Sequence, residues 1–258
     1  MSENSQPTFA AAILASGGQD ALARECDVPH KALVPLNGRK QIEYVIDALR
    51  ECPAIAKLVI VAHDGGAAPY LRTDLPVIRP RGTNFVEGIK AAAEALAGFD
   101  YMLICTCDAP MLTCEAVTHF VQACRNRPTA DLACSVVKAS VVKSAFPEAR
   151  RTIVRLVEES FVSGCLTAMS KAFIANNLSR VTECFAARKS KTALARLLGW
   201  RFLAKLLLRR LSLVAVIKRA EEILGCEALV VISPYPGVAF DVDKPSDLQT
   251  ARQWVAGR

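Results

Sequence analysis

Short apolar runs alternate with amphipathic stretches through the first half of this chain, and that alternation limits the fold more than any other feature. FAAAILA (9–15), KLVIVAH (57–63) and YMLICT (101–106) are apolar on both faces, as strands buried from both sides are. Among them lie QIEYVIDALREC (41–52), NFVEGIKAAAEALAG (84–98) and CEAVTHFVQACRNR (114–127), with apolar residues at helical spacing such as Ile42, Val45, Ile46 and Leu49. Strands alternating with helices predict parallel β-α-β units: an α/β fold, a three-layer α/β/α sandwich around a mostly parallel, Rossmann-like central sheet. Such sheets take ligands beyond the carboxyl ends of their strands.

The second half is less regular. Strands are predicted at 131–138, 151–157, 164–170, 227–233 and, from VAFDVD, at 238–243. Residues 177–224 read as helix in short pieces, broken near Gly199 and Ser212. SDLQTARQWVAG reads as a closing helix with Ser246 as N-cap and Asp247 in its first turn. No repeat and no linker divides the chain, so residues 1–258 are expected to form one domain, with a basic helical insertion at about 177–224. Between Cys184 and Ala220 there are ten Lys or Arg residues and no acid; these more than account for the formal net charge of +7. No run approaches the roughly 18 apolar residues that a membrane span needs. The ten cysteines are scattered without a CxxC pair, and no basic, apolar leader is apparent at the N-terminus. Reduced thiols and a cytoplasmic location are therefore expected.

Three stretches carry candidate chemistry. In YMLICTCDAPMLT a single carboxylate, Asp108, stands where an apolar strand stops. It is placed either to hold a metal or to cap the helix that follows. LASGG (14–18) puts small residues at a strand end, where backbone N–H groups can approach an anion; a tight strand-to-helix turn would use the same residues. Lys31, in the acid-free stretch PHKALVPLNG, can reach a phosphate or face solvent.

Taken in order, LASGG, PHKALVPLNGRKQIEYVIDAL, the strand ending in CDAP and FDVDKPSDLQTAR near the C-terminus resemble the MobA-like nucleotidyltransferases, of the nucleotide-diphospho-sugar transferase type. The likeness covers residues 9 to about 125 and 226 to 255 well, and the middle loosely. It implies an enzyme that joins an NMP, from CTP or GTP by preference, to a phosphorylated small-molecule acceptor and releases pyrophosphate. It implies Mg2+ held by Asp108 and Asp243, with Asp241 as the runner-up and Asp247 as a helix-start acid. It places Leu14, Ala15, Ser16, Gly17 and Gly18 around the triphosphate, with Lys31 offsetting its charge. Asn84 and Gly88, in RPRGTNFVEGI, fall at the positions lining the base, although Asn84 also suits a helix N-cap.

Two departures qualify the likeness. GGQDALAR lacks the further Gly and Arg that many relatives carry, with Arg24 the available substitute. FVSGCLTAM has Cys165 where many relatives have an Asn lining the acceptor pocket. Those departures keep open a non-catalytic nucleotide-binding protein on the same fold, and a nucleotide-sugar-dependent glycosyltransferase as well. The basic segment, rich in Leu, suits a solvated helical face, a homodimer contact or a peripheral membrane contact. Sparse aromatics and the lack of a recognised module argue against nucleic acid as a partner.

Overall fold

The computed structural model describes residues 6–187 and 190–257. Apart from a small hairpin of Pro35–Leu36 with Arg39–Lys40, its strands are β1 (Phe9–Ala15), β2 (Ile55–Ala62), β3 (Val77–Ile78), β4 (Tyr101–Thr106), β5 (Leu132–Lys138), β6 (Ile153–Arg155), β7 (Ser160–Ser170) and β8 (Ala228–Ser233). They form one sheet in the order β8-β5-β7-β4-β1-β2-β3, with β6 attached to β7. Pairings are parallel except along β7, which runs antiparallel to β4, β5 and β6. The sheet is therefore mostly parallel, as the alternation predicts.

The helices are α1 (Ala21–Glu25), α2 (Gln41–Arg50), α3 (Phe85–Ala95), α4 (Cys114–Arg125), α5 (Ala139–Ala145), α6 (Lys171–Ala187), α7 (Lys191–Leu198), α8 (Trp200–Leu207), α9 (Leu213–Leu224) and α10 (Pro245–Ala256). Strand β1 shows why the layers form. Phe9, Ala11 and Ile13 point to one face, where Ile42, Val45 and Leu49 of α2 and Val117 and Phe120 of α4 cover them. Ala10, Ala12 and Leu14 point to the other, against Ile89 and Ala92 of α3 and Phe173 of α6. Both faces of β1 are buried, so an apolar run without alternation is what this strand requires. Helices α6 to α9 lie between residues 171 and 224, with α7 and α8 parted at Gly199 (φ 85°) and α9 opened by Ser212, whose side chain caps it.

Three expectations are corrected. VAFDVD is not a strand: Pro236–Ala239 forms a 3-10 turn, and the chain beyond it is irregular. The last helix starts at Pro245 rather than behind Ser246, with Lys244 as the N-cap residue. Asp108 does not cap the following helix, because the Thr113 hydroxyl caps α4.

Two contacts bring the C-terminal segment to the strand ends. Val242 N donates to Asp108 O at 2.8 Å. Gly237 lies so close to the chain after β4 that a Cβ there would stand 2.2 Å from Met111 O. Gly237→Ala must push two backbones apart, and we expect a loss of about 1–3 kcal/mol of stability, measured by urea unfolding.

Candidate functional site

The site lies at the carboxyl ends of the central strands. Parallel register puts Leu14 of β1 beside Thr106 of β4. The turn after β1, Ser16 to Gly18, and the turn after β4, which carries Asp108, are therefore neighbours. Leu14 and Ala15 themselves are core residues on opposite faces of the sheet, so only the backbone beyond them remains for a ligand. The His63 ring donates from Nε2 to Gly17 O at 3.1 Å. Arg24 donates to Gln19 O at 3.1 Å and braces the same turn. Gly88 lies one turn into α3, where a Cβ would come 2.7 Å from the Ser16 hydroxyl, so a glycine lets α3 approach this turn closely. Asn84 Oδ1 caps α3 by accepting from Glu87 N at 2.9 Å, the capping role its position allowed.

Lys31 stands on a short 3-10 turn, Lys31–Leu33, held from below. His30 Nδ1 accepts from Ala32 N at 3.0 Å, and the buried Gln41 side chain donates to Lys31 O. The Lys31 ammonium rests directly on Asp108 Oδ2, lies 2.9 Å from Asp243 Oδ1, and is 3.8 Å from Asp20 Oδ2. Burial alone would pull the ammonium down. Asp108 outweighs burial and holds Lys31 well above the ordinary lysine range, so it is charged throughout the physiological span. Three of the residues singled out in the sequence thus meet in one cluster.

Asp241 stands beside them, with its Oδ1 buried and without a hydrogen-bond partner. Burial first, then the charges of Asp108 and Asp243, push its carboxyl up to about 7, against the opposing pull of Lys31 and Arg151. Asp247 supports the group from behind. Its Oδ2 accepts from Asp243 N at 3.2 Å, and its Oδ1 pairs with Arg151 at 3.2 Å; the Arg151 guanidinium also stacks 4.0 Å from the Phe240 ring centroid. Asp20, His30, Arg151 and the bracing role of Asp247 were not anticipated from the sequence. Asp20 (the α1 N-cap) and His30 could have been suspected from their places at turns, whereas Arg151 meets Asp247 only through tertiary folding.

Cys165 is turned away from the site. It lies in the core beside Cys105, behind the strand end, while Ser163 of the same strand faces a cavity next to Asp241 and Asp243. None of the ten cysteines forms a disulfide.

Among the described residues, no three His, Cys, Asp or Glu side chains are arranged to hold a metal as they stand. Lys31 sits between two of the acids. The donor set nevertheless suits a hard divalent cation: Asp108 Oδ1 and Asp241 Oδ1 are both buried oxygens lacking hydrogen-bond partners, and Asp243 is exposed beside them.

His30 gives a pH test of how this turn is supported. Burial, followed by the Lys31 ammonium and His63, lowers His30 to about 4, against roughly 6.5 for an unfolded histidine. A depressed histidine contributes stability that is present above pH 6.5 and is lost as pH falls toward 4. The loss should be on the order of 3 kcal/mol. His30→Asn keeps an acceptor for Ala32 N and should flatten that part of the stability-versus-pH curve, read from urea midpoints.

Comparison with known proteins bears on the family and the fold. The profile of the MobA-like NTP transferase domain matches residues 11–201. Molybdenum cofactor guanylyltransferase of Yersinia pestis (strain Pestoides F) is 30% identical over 119 residues, 45% of this chain and 57% of the relative. The match thus spans little more than half the length of that curated relative. A hypothetical transferase from Thermus thermophilus superposes with a TM-score of 0.80 at 37% identity, covering 93% of this chain and 100% of the other. CMP:2-keto-3-deoxy-manno-octonic acid synthetase, solved with CTP, shares the fold with a TM-score of 0.60 at 14% identity, over 97% and 99% of the two chains.

Proposed function

The chain belongs to the MobA-like NTP transferase family, and on that premise we propose that it is a cytoplasmic, Mg2+-dependent nucleotidyltransferase. It moves an NMP from an NTP, CTP or GTP, to a phosphorylated small-molecule acceptor and releases pyrophosphate. Residues 1–258 act as one catalytic domain, with the helices at about 177–224 inserted into it. The observation that carries this reading is the Lys31 ammonium lying among Asp108, Asp243 and Asp20 beside the turn after β1.

In the reaction an acceptor phosphate oxygen attacks the α-phosphorus, the bond to the bridging oxygen breaks, and pyrophosphate leaves with its electrons. The acceptor oxygen is already anionic, so no general base is required; positioning and charge neutralisation do most of the work. Backbone N–H groups of Ser16 to Gly18 receive the triphosphate. Lys31 gives up its carboxylates for phosphate oxygens, remaining charged in either setting. Asp108 and Asp243 hold the Mg2+, with Asp241 at hand; bound there, the ion would neutralise charge on the phosphate oxygens. Gly88 allows α3 to close on the turn, while Asn84 orders its first turn.

A cavity of about 230 Å³ is lined by Arg150, Arg151 and Lys244 on one hand and by Asp241, Asp243 and Asp247 on the other, with Thr152 and Ser163 among them. Arg151 is paired with Asp247, which leaves Arg150 and Lys244 to meet a phosphate carried on a compact group, and this is where we place the acceptor. GTP is favoured by the guanylyltransferase relative and CTP by the synthetase solved with it.

Calorimetric titration of each NTP with Mg2+ tests the reading. One nucleotide should bind, and Asp108→Asn should weaken it by about 10–100-fold, the worth of lost charge-assisted contacts. Lys31→Ala should slow pyrophosphate release by about a hundredfold or more. Binding of nucleotide-sugars in place of NTPs would favour the glycosyltransferase alternative, and binding without pyrophosphate release would favour the non-catalytic one.

A further inference from the structure

We propose that the α8–α9 hairpin docks this protein on the surface of an anionic lipid bilayer. Helix α8 has a committed side: Phe202 and Leu206 pack with Leu156, Phe161 and Leu211 in a small cluster separate from the main core. That cluster accounts for one face of the helix only. Trp200 and Leu207, two turns apart on another face, are 74% and 83% exposed, and Leu208 at the helix end is 65% exposed. Val214, in the first turn of α9, adds a further exposed apolar side chain at 72%. Val157 extends the patch, exposed and tied to the hairpin by its N–H, which donates to Leu211 O at 3.0 Å. Large apolar side chains gathered on one surface element mark an interaction site rather than ordinary surface.

Charge selects the partner. Arg201, Lys205, Arg209 and Arg210 are exposed on the same hairpin, and no acid occurs in the sequence between Cys184 and Ala220. The ion pair described within this segment is Arg219 with Glu222, away from the tip. Glu158 does reach the hairpin, but its carboxylate accepts from Leu213 N at 3.1 Å and serves the start of α9. The exposed side of the hairpin therefore combines a tryptophan at the start of α8 and leucines at its end with several bases. That is the make-up of an element lying in the lipid interface, with apolar groups among the acyl chains and basic stems reaching phosphate headgroups. No helix among the described residues is long and apolar enough to cross a membrane, so the contact is peripheral.

Strand β6 links the hairpin to the cavity beside the acids. From the Leu211 contact, the chain leads through Val157 and Leu156 back along β6, whose residues Ile153 and Val154 are also exposed, to Thr152, Arg151 and Arg150 at the small cavity.

The full chain is sedimented with vesicles of phosphatidylcholine alone and of phosphatidylcholine mixed with phosphatidylglycerol, at low salt. It should pellet with the phosphatidylglycerol vesicles and be released as salt rises past the physiological range, since screening acts on exposed charges. Arg209→Gln with Arg210→Gln should weaken binding about tenfold or more, as should Leu207→Asp, with unchanged thermal melting of each variant. The salt titration of the unsubstituted chain needs no variant and stands alone if one fails to fold. Absence of binding, equal binding to both vesicle types, or salt-independent binding would overturn the proposal. So would a concentration-dependent dimer in sedimentation velocity that Leu207→Asp breaks in the absence of lipid, because that would assign the face to a second copy of the chain.

Discussion

A lysine ammonium held against a carboxylate at the end of the central strand is the contact around which this molecule is arranged. Asp108 is 5% exposed, a costly place for an ionised group unless an opposite charge or a cation meets it. Lys31 meets it, and everything nearby serves that pairing. His30 and Gln41 fix the turn that carries Lys31, and the β1–β4 register sets the glycine turn alongside. Val242 is tied to Asp108 O, so Asp241 and Asp243 arrive from more than a hundred residues away. Asp108, Asp243 and Asp20 around one ammonium carry an excess of negative charge, and the charges of Asp108 and Asp243 add to burial in keeping the Asp241 carboxyl high. A cluster with that imbalance is prepared to accept further positive charge.

Much of this was legible in the sequence where local pattern and tertiary role agree. Strands β1 and β4 are buried on both faces, so their apolar runs end where the structure ends them, at Ala15 and Thr106. Gly199 and Ser212 break the helices because a left-handed turn and a side-chain cap are local requirements. The approach of Lys31, Asp108 and Asp243 followed from motif order and its resemblance to a family, since nothing in the spacing of 31, 108 and 243 requires them to meet.

What sequence reading missed is tertiary. VAFDVD alternates like a strand, yet its backbone bonds to the end of β4 through a single contact at Val242 and has no ladder to join. Ser246 would serve as an N-cap, but Pro245 has a fixed φ suited to the first helical position and starts α10 two residues earlier. Cys165 stands in a stretch similar to a pocket-lining segment, but the β5–β7 register slips between Val136–Ser163 and Cys134–Thr167, and this break in the alternation leaves the thiol in the core and Ser163 at the pocket. The unpartnered oxygen of Asp241 and the Arg151–Asp247 pair exist only after folding.

The account turns on Lys31 exchanging carboxylates for phosphate when nucleotide and cation arrive. Crystals grown with Mn2+ and the nucleotide that binds, measured at the manganese edge, examine that exchange directly. The account predicts an anomalous peak bounded by Asp108 and Asp243, with the Lys31 ammonium moved off Asp108 onto a phosphate oxygen. Nucleotide bound with Lys31 still seated on Asp108, or manganese held away from these acids, would contradict it.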